Sequence, residues 1–154
     1  MEIAQLNIAV SPTDDDKLKK KVTTFQSLLS ELRERELTEE VITAINEHIV
    51  HLNGITSQNI LTKELRKRQF KILTLLQQKL KLVTKGYYRN MWMAVGMSAF
   101  GVSFGVAFGV ALDNMAFLAI GIPIGMGIGI GIAVGTAMDA KAQKEGKQLD
   151  FIAS

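Results

Sequence analysis

The chain of 154 residues contains no cysteine. That absence excludes a disulfide framework and a thiolate metal site, and it fits a reducing compartment. Charge is missing from two long stretches. Residues 91–112 read "MWMAVGMSAFGVSFGVAFGVAL" and residues 115–138 read "MAFLAIGIPIGMGIGIGIAVGTAM", which is 22 and 24 residues without an ionisable side chain. A membrane-spanning helix needs roughly 20 such residues, and soluble helices are rarely this long and apolar all round. The remainder of the chain is too small to hide both runs in a water-soluble core. Lys and Arg are absent from the link between the runs, which is Asp113 and Asn114 alone. The opening "MEIAQLNIAVSPTDDD" has an early acidic residue and lacks the apolar stretch of a cleavable signal peptide.

The two runs predict a tight transmembrane helical hairpin over 91–138, with Asp113 or Asn114 capping the second helix. A side-chain acceptor has a job there, because unpaired amides near hydrocarbon are costly. Lys79, Lys81, Lys85 and Arg89 precede the hairpin, and Lys141, Lys144 and Lys147 follow it. The positive-inside rule then places both termini in the cytosol, with the turn on the far side of an inner (cytoplasmic) membrane.

Glycine weakens an ordinary helix, yet six glycines lie between residues 121 and 138. In lipid, helices associate where small residues let their backbones approach. On a straight α-helix Gly121, Gly125 and Gly129 share one face, and Gly127, Gly131 and Gly135 share another, roughly 160–240° away. In the first run Gly101, Gly105 and Gly109 form a stripe extended by Ser98 and Ala94. Gly96, Ala99, Ser103 and Ala107 form a second, and Phe100, Phe104 and Phe108 form a ridge between them. One close-packing face per helix serves the hairpin; the other predicts a homo-oligomer. Gly127, Gly131 and Gly135 are assigned here to the contact between chains, because Gly121 and Gly125 bracket Pro123 beside the turn. Pro123 should free the Ala119 carbonyl and kink the helix.

The segment "GVAFGVALDNMAFLAIGIPIGMGIGIGIAVGTAMD" resembles small bacterial glycine-zipper hairpin membrane proteins in its paired GxxxG spans, its Asp113–Asn114 turn and its charged exit after Met138. The resemblance covers about a third of the chain. It implies a two-helix membrane architecture and no particular activity.

Ahead of the runs, Leu18, Val22, Phe25, Leu29 and Leu32 keep helical spacing after "TDDDKLKKK". Val41, Ile45, Ile49 and Leu52 do so after Thr38, up to Asn53–Gly54. Ile60, Leu61, Leu65, Ile72, Leu73, Leu76, Leu80 and Val83 mark a third helix from about Ser57 to Lys85. The fold class is therefore all-α: an antiparallel cytosolic bundle of about three helices over 13–90, then the transmembrane hairpin over 91–138 and a cytosolic tail over 139–154. Residues 1–12 form an arm, either strand or extended chain. From Lys63 to Arg89 the sequence holds nine Lys or Arg and one Glu. Lys79, Lys81, Lys85 and Arg89 are candidate ligands of anionic lipid headgroups; nucleic acid is disfavoured because the basic stretch leads into the apolar run. The same charges would also suit a solvated face. Tyr87, Tyr88 and Trp92 fit an interfacial aromatic belt.

Catalytic signatures are lacking. "EHIVH" sets His48 and His51 three apart beside Glu47, which is not HExxH, and a solvated helix face explains it better than a metal site. The GxGxG repeats at 125–131 lack the strand and Lys–Ser/Thr pair of a phosphate loop. The sequence thus predicts a non-enzyme without cofactor or metal. Its partners are the lipid bilayer, further copies of itself and an unspecified cytosolic protein. The predicted function is an oligomeric pore controlled by the bundle, with Asp113 ringing its outer mouth; the alternative is a non-conducting anchor or scaffold that clusters the bundle for a protein partner.

Overall fold

The structure is a computed structural model that describes residues 2–8, 15–111 and 121–150, with only the backbone described at 121–123. The chain divides into two compact units, one of Met1–Thr84 with Leu149–Ser154, the other of Lys85–Gln148.

The first unit is a three-helix bundle. Helix α1 (Asp16–Arg33) starts where the Asp15 carboxylate accepts from the Lys17 amide at 3.1 Å, satisfying one of the free donors of the first turn. It buries Leu18, Val22, Phe25, Leu28, Leu29 and Leu32. Helix α2 (Glu39–Asn53) opens with Glu39 and Glu40 against the positive end of its dipole and buries Val41, Ile42, Ile45, Ile49 and Leu52. Helix α3 (Gln58–Leu80) buries Leu61, Leu65, Ile72 and Leu76. Lys79 pairs with Glu40 at 2.8 Å and Arg68 meets His48 at 3.2 Å, so α2 and α3 run in opposite directions. The Lys21 ammonium reaches the Thr62 carbonyl at 3.1 Å, near the starts of α1 and α3.

Three expectations change here. Ile60 is exposed rather than inside. Helix α3 stops at Leu80, short of Lys85, because Lys81 turns left-handed (φ 57) and the Lys81 and Leu82 amides fold back onto the Gln77 and Leu76 carbonyls. Strand β1 (Val83–Thr84) follows and pairs with β2 (Gln148–Leu149). The tail expected from 139 onward is partly structured: α6, described next, runs to Lys144, and Leu149 is fully buried in the bundle core.

In the second unit α4 (Tyr87–Val95), a π-helical turn (Gly96–Gly101) and α5 (Val102–Ala111) follow one another directly. Together they form a helix of 25 residues, Tyr87–Ala111, long and apolar enough to cross a membrane. Helix α6 (Gly121–Lys144) packs along it. The Asp113–Asn114 turn, and the Ala119 carbonyl that Pro123 should free, lie outside the described residues.

Candidate functional site

Glycine, the smallest residue, lines the contact in the second unit. A Cβ added at Gly127 would run into the Gly96 carbonyl oxygen, and one at Gly96 into the Gly127 carbonyl oxygen. At Gly131 it would strike the Trp92 carbonyl, and at Gly135 the backbone of Tyr88 and Arg89. Ascending positions on α6 meet descending positions on α4, so the two segments are antiparallel. Backbone touches backbone along this seam, and no side chain larger than hydrogen fits in it.

This reverses the assignment made from the sequence. Gly127, Gly131 and Gly135 seal contacts within one chain, whereas an added Cβ at Gly125 or Gly129 would meet nothing within 4 Å. The environment of Gly121 is not among the described residues. The first run is corrected too. Gly96, Gly101, Gly105 and Gly109 are all buried, while Ala94, Ser98, Ala99, Ser103 and Ala107 are exposed. In a straight α-helix, positions five apart differ by about 140°. The π turn over Gly96–Gly101 lengthens one turn by a residue and brings Gly96 onto the face of Gly101. Spacing alone cannot reveal that insertion.

Asp139 closes one end of the seam. Its two carboxylate oxygens accept from the backbone amides of Tyr88 and Arg89, both at 3.0 Å, and the residue is 9 % exposed. Those amides belong to the first turn of α4, which has no side-chain cap of its own and starts from a left-handed Gly86 (φ 75). Asp139 therefore supplies from α6 both the missing acceptors and a negative charge at a helix N-terminus. In the sequence Asp139 stands out as the first charge after Met138 and as a carboxylate too far from Asp113 to cooperate with it, with no sign of this capping role. Tyr87 and Tyr88 stand edge to face at 5.3 Å. Trp92 is half-buried, and its indole N–H is enclosed without an acceptor among the described residues.

Outside the seam the pattern inverts. Phe100, Val102, Val106, Phe108, Val110, Met126, Ile130, Ile132 and Val134 all point outward. Phe100 and Phe104 stack at 6.2 Å. The hydroxyls among them face inward electrically: Ser98, Ser103 and Thr136 each donate to a carbonyl one turn back in their own helix.

The basic residues are dispersed. Lys79 is engaged by Glu40, Lys81 forms the left-handed cap of α3, and Lys85 and Arg89 are exposed. The sequence reading missed Phe70, which is 69 % exposed on α3. At helical spacing it is flanked by Lys63, Arg66 and Lys67. Partial burial pushes the Glu64 carboxyl up, but hydrogen bonds from Lys67 and Arg68 outweigh it and hold the group below the usual carboxylate range. Burial, and then the charges of Arg68 and Lys71, lower the His48 pKa. No group of three or more His, Cys, Asp or Glu able to hold a metal occurs among the described residues. Comparison with protein-family models, with curated proteins and with solved structures finds no match to this chain.

Proposed function

We propose that residues 87–144 form a transmembrane helical hairpin that anchors the bundle in a membrane and clusters it through chain-to-chain contact. One observation carries this reading: the second unit is inside out, with glycine buried and Val, Ile, Phe and Met turned outward along both helices. Water would penalise that surface at about 25 cal/mol per Å²; hydrocarbon does not. The seam suits the same solvent, since backbone proximity is a principal source of helix association in lipid. The flanking Lys residues and the aromatic group Tyr87, Tyr88 and Trp92 support an interfacial position at that end, with both termini cytosolic. The exposed cations and Phe70 on α3 favour an anionic leaflet.

The chain-to-chain face in this proposal is the one holding Gly125 and Gly129, continued by the exposed Ala133 and Ala137 at four-residue spacing. The scarcity of polar side chains favours the non-conducting anchor over the pore: Ser98, Ser103 and Thr136 are the only hydroxyls in the two apolar runs, too few to line a path that replaces an ion's hydration shell. The pore, first in the sequence reading, becomes the second here; Asp113, the acidic residue between the apolar runs, would ring its mouth. Purified protein in liposomes separates the two: the anchor predicts no dye leakage or conductance above empty vesicles, and the pore predicts both. Native mass measurement in nanodiscs should show oligomers for the wild type and monomers for Gly125→Leu with Gly129→Leu.

A further inference from the structure

Helix α3 has three sides, each defined by what it meets. One side holds Thr62, whose carbonyl takes the Lys21 ammonium of α1. A second holds Arg68 and Lys79, which meet His48 and Glu40 of α2. The third is open. Ile60, Lys63, Arg66, Lys67, Phe70 and Lys71 are all exposed, and at 100° per residue they fall within an arc of about 140° and a length of about 17 Å. Phe70 is 69 % exposed and Ile60 55 %. Among the described residues of the bundle, the only other exposed large apolar side chain is Val50, on α2. Two of these three therefore stand within one group of four cations.

Little negative charge opposes that group. Glu64, the single acid in the sequence of α3, is held by Arg68 at 3.1 Å and by Lys67 at 3.3 Å. Among the described residues Lys63, Arg66 and Lys71 have no ion-pair partner. Cations alone would make an ordinary solvated face. Phe70 and Ile60 make it a different one, because apolar area held in water is unfavourable and becomes favourable at an interface that also attracts the charges. We infer that this side of α3 lies on an anionic bilayer surface, with its cations at the headgroup phosphates and Phe70 and Ile60 at the acyl boundary. Nucleic acid offers the same phosphates, but one aromatic side chain is no stacking platform for successive bases, and only lipid gives both apolar side chains a phase to enter. The connection favours lipid too. Six residues, 81–86, join the end of α3 to the apolar helix that starts at Tyr87, so a membrane holding that helix is present at high effective concentration. The inference rests on the proposed membrane hairpin and adds a headgroup contact upstream of the juxtamembrane cations.

The absence of cysteine allows a clean test. The full-length chain receives one cysteine, at Asn59, which is exposed on the same side of α3 and leaves Phe70 in place. It is spin-labelled and reconstituted in nanodiscs of phosphatidylcholine, alone or with phosphatidylglycerol added. The label should be shielded from a water-soluble nickel chelate in the anionic discs and open to it in the neutral ones. Lys63→Gln with Arg66→Gln should shift the docked-to-undocked ratio about 25-fold toward undocked, at about fivefold per cation, and Phe70→Ser about tenfold. Both variants should keep the wild-type circular dichroism, because none of the three side chains belongs to the bundle core. A second label at Val106 reads the hairpin separately. Nickel access at 59 equal in the two kinds of disc, whether high or low, would overturn the inference, since the cations would then have no part; shielding at 106 would leave the hairpin standing. Access at both 59 and 106 would overturn both readings. Shielding of 59 by single-stranded RNA in neutral discs, without shielding by anionic lipid, would overturn the lipid assignment in favour of nucleic acid.

Discussion

The two units of this chain bury opposite things. In the bundle Phe25, Leu28, Leu32, Ile45, Leu65 and Leu76 are inside, and the helices stand apart by the width of those side chains. In residues 85–148 the inside is Gly96, Gly127, Gly131 and Gly135, and the large side chains are on the outside. On the proposed reading, the two arrangements answer to two different solvents. Water drives apolar side chains together. In lipid that drive vanishes, and close backbone contact with matched polar ends takes its place. A helix pair built from glycine would be a poor core in water, and a leucine bundle would have little reason to stay assembled in lipid.

Breaking each interior should reveal the asymmetry. Phe25→Ala should destabilise the bundle by about 3–5 kcal/mol, measured by denaturant unfolding followed through far-ultraviolet circular dichroism. Val106→Ala and Ile130→Ala, equally apolar but outward, should leave the stability of the helix pair within about 0.5 kcal/mol. Gly131→Ala should cost the pair about 1–3 kcal/mol, because the new methyl meets the Trp92 carbonyl and the backbones must part. Gly125→Ala should cost nothing within the protomer, where a Cβ has open space. Thermal unfolding in one detergent, with the four variants side by side, decides.

The polar end of the seam gives a smaller effect. Asp139→Ala leaves the Tyr88 and Arg89 amides without their acceptors, and should cost about 1–2 kcal/mol. Asp139→Asn retains one acceptor and should lose less. Hydrogen exchange at those two amides is the direct readout and should quicken most in the alanine variant.

The smallest effect belongs to the bundle. His48 has its pKa lowered from an ordinary 6.5, first by burial and then by Arg68 and Lys71. Between 6.5 and that lower value the unfolded chain binds more protons than the folded one, so stability falls as pH drops below about 6.5. His48→Gln should flatten stability against pH in that window, and an unchanged slope would remove His48 from the account.

The bundle was the legible part of the sequence. Each of the stripes Leu18–Leu32 and Val41–Leu52 lies inside, because water enforces a one-to-one relation between helical period and burial. An apolar helix was legible from composition over 91–112; the described one begins four residues earlier, at Tyr87. The seam was misassigned for two physical reasons. Composition in an apolar run carries no inside–outside contrast, so two glycine faces look equivalent until a partner is placed. The π turn at Gly96–Gly101 also shifts the phase that a straight helix assumes. Asn46 and Asn53 carried a usable signal, identical polar residues seven apart on one helix, but they bond the backbone of the N-terminal arm at Glu2, Ala4, Gln5 and Asn7, and backbone has no sequence signature.

The inside-out arrangement is tested most directly by where its outward side chains sit. Single cysteines at Val106, Ile130 and Val50, each in an otherwise cysteine-free chain, can be spin-labelled in bilayers. Accessibility is then compared between oxygen, which concentrates in hydrocarbon, and a water-soluble nickel chelate. Positions 106 and 130 should be open to oxygen and shielded from nickel, while position 50, exposed on α2, should show the opposite. Nickel access at 106 and 130 equal to that at 50 would contradict the account, because those side chains would then face water.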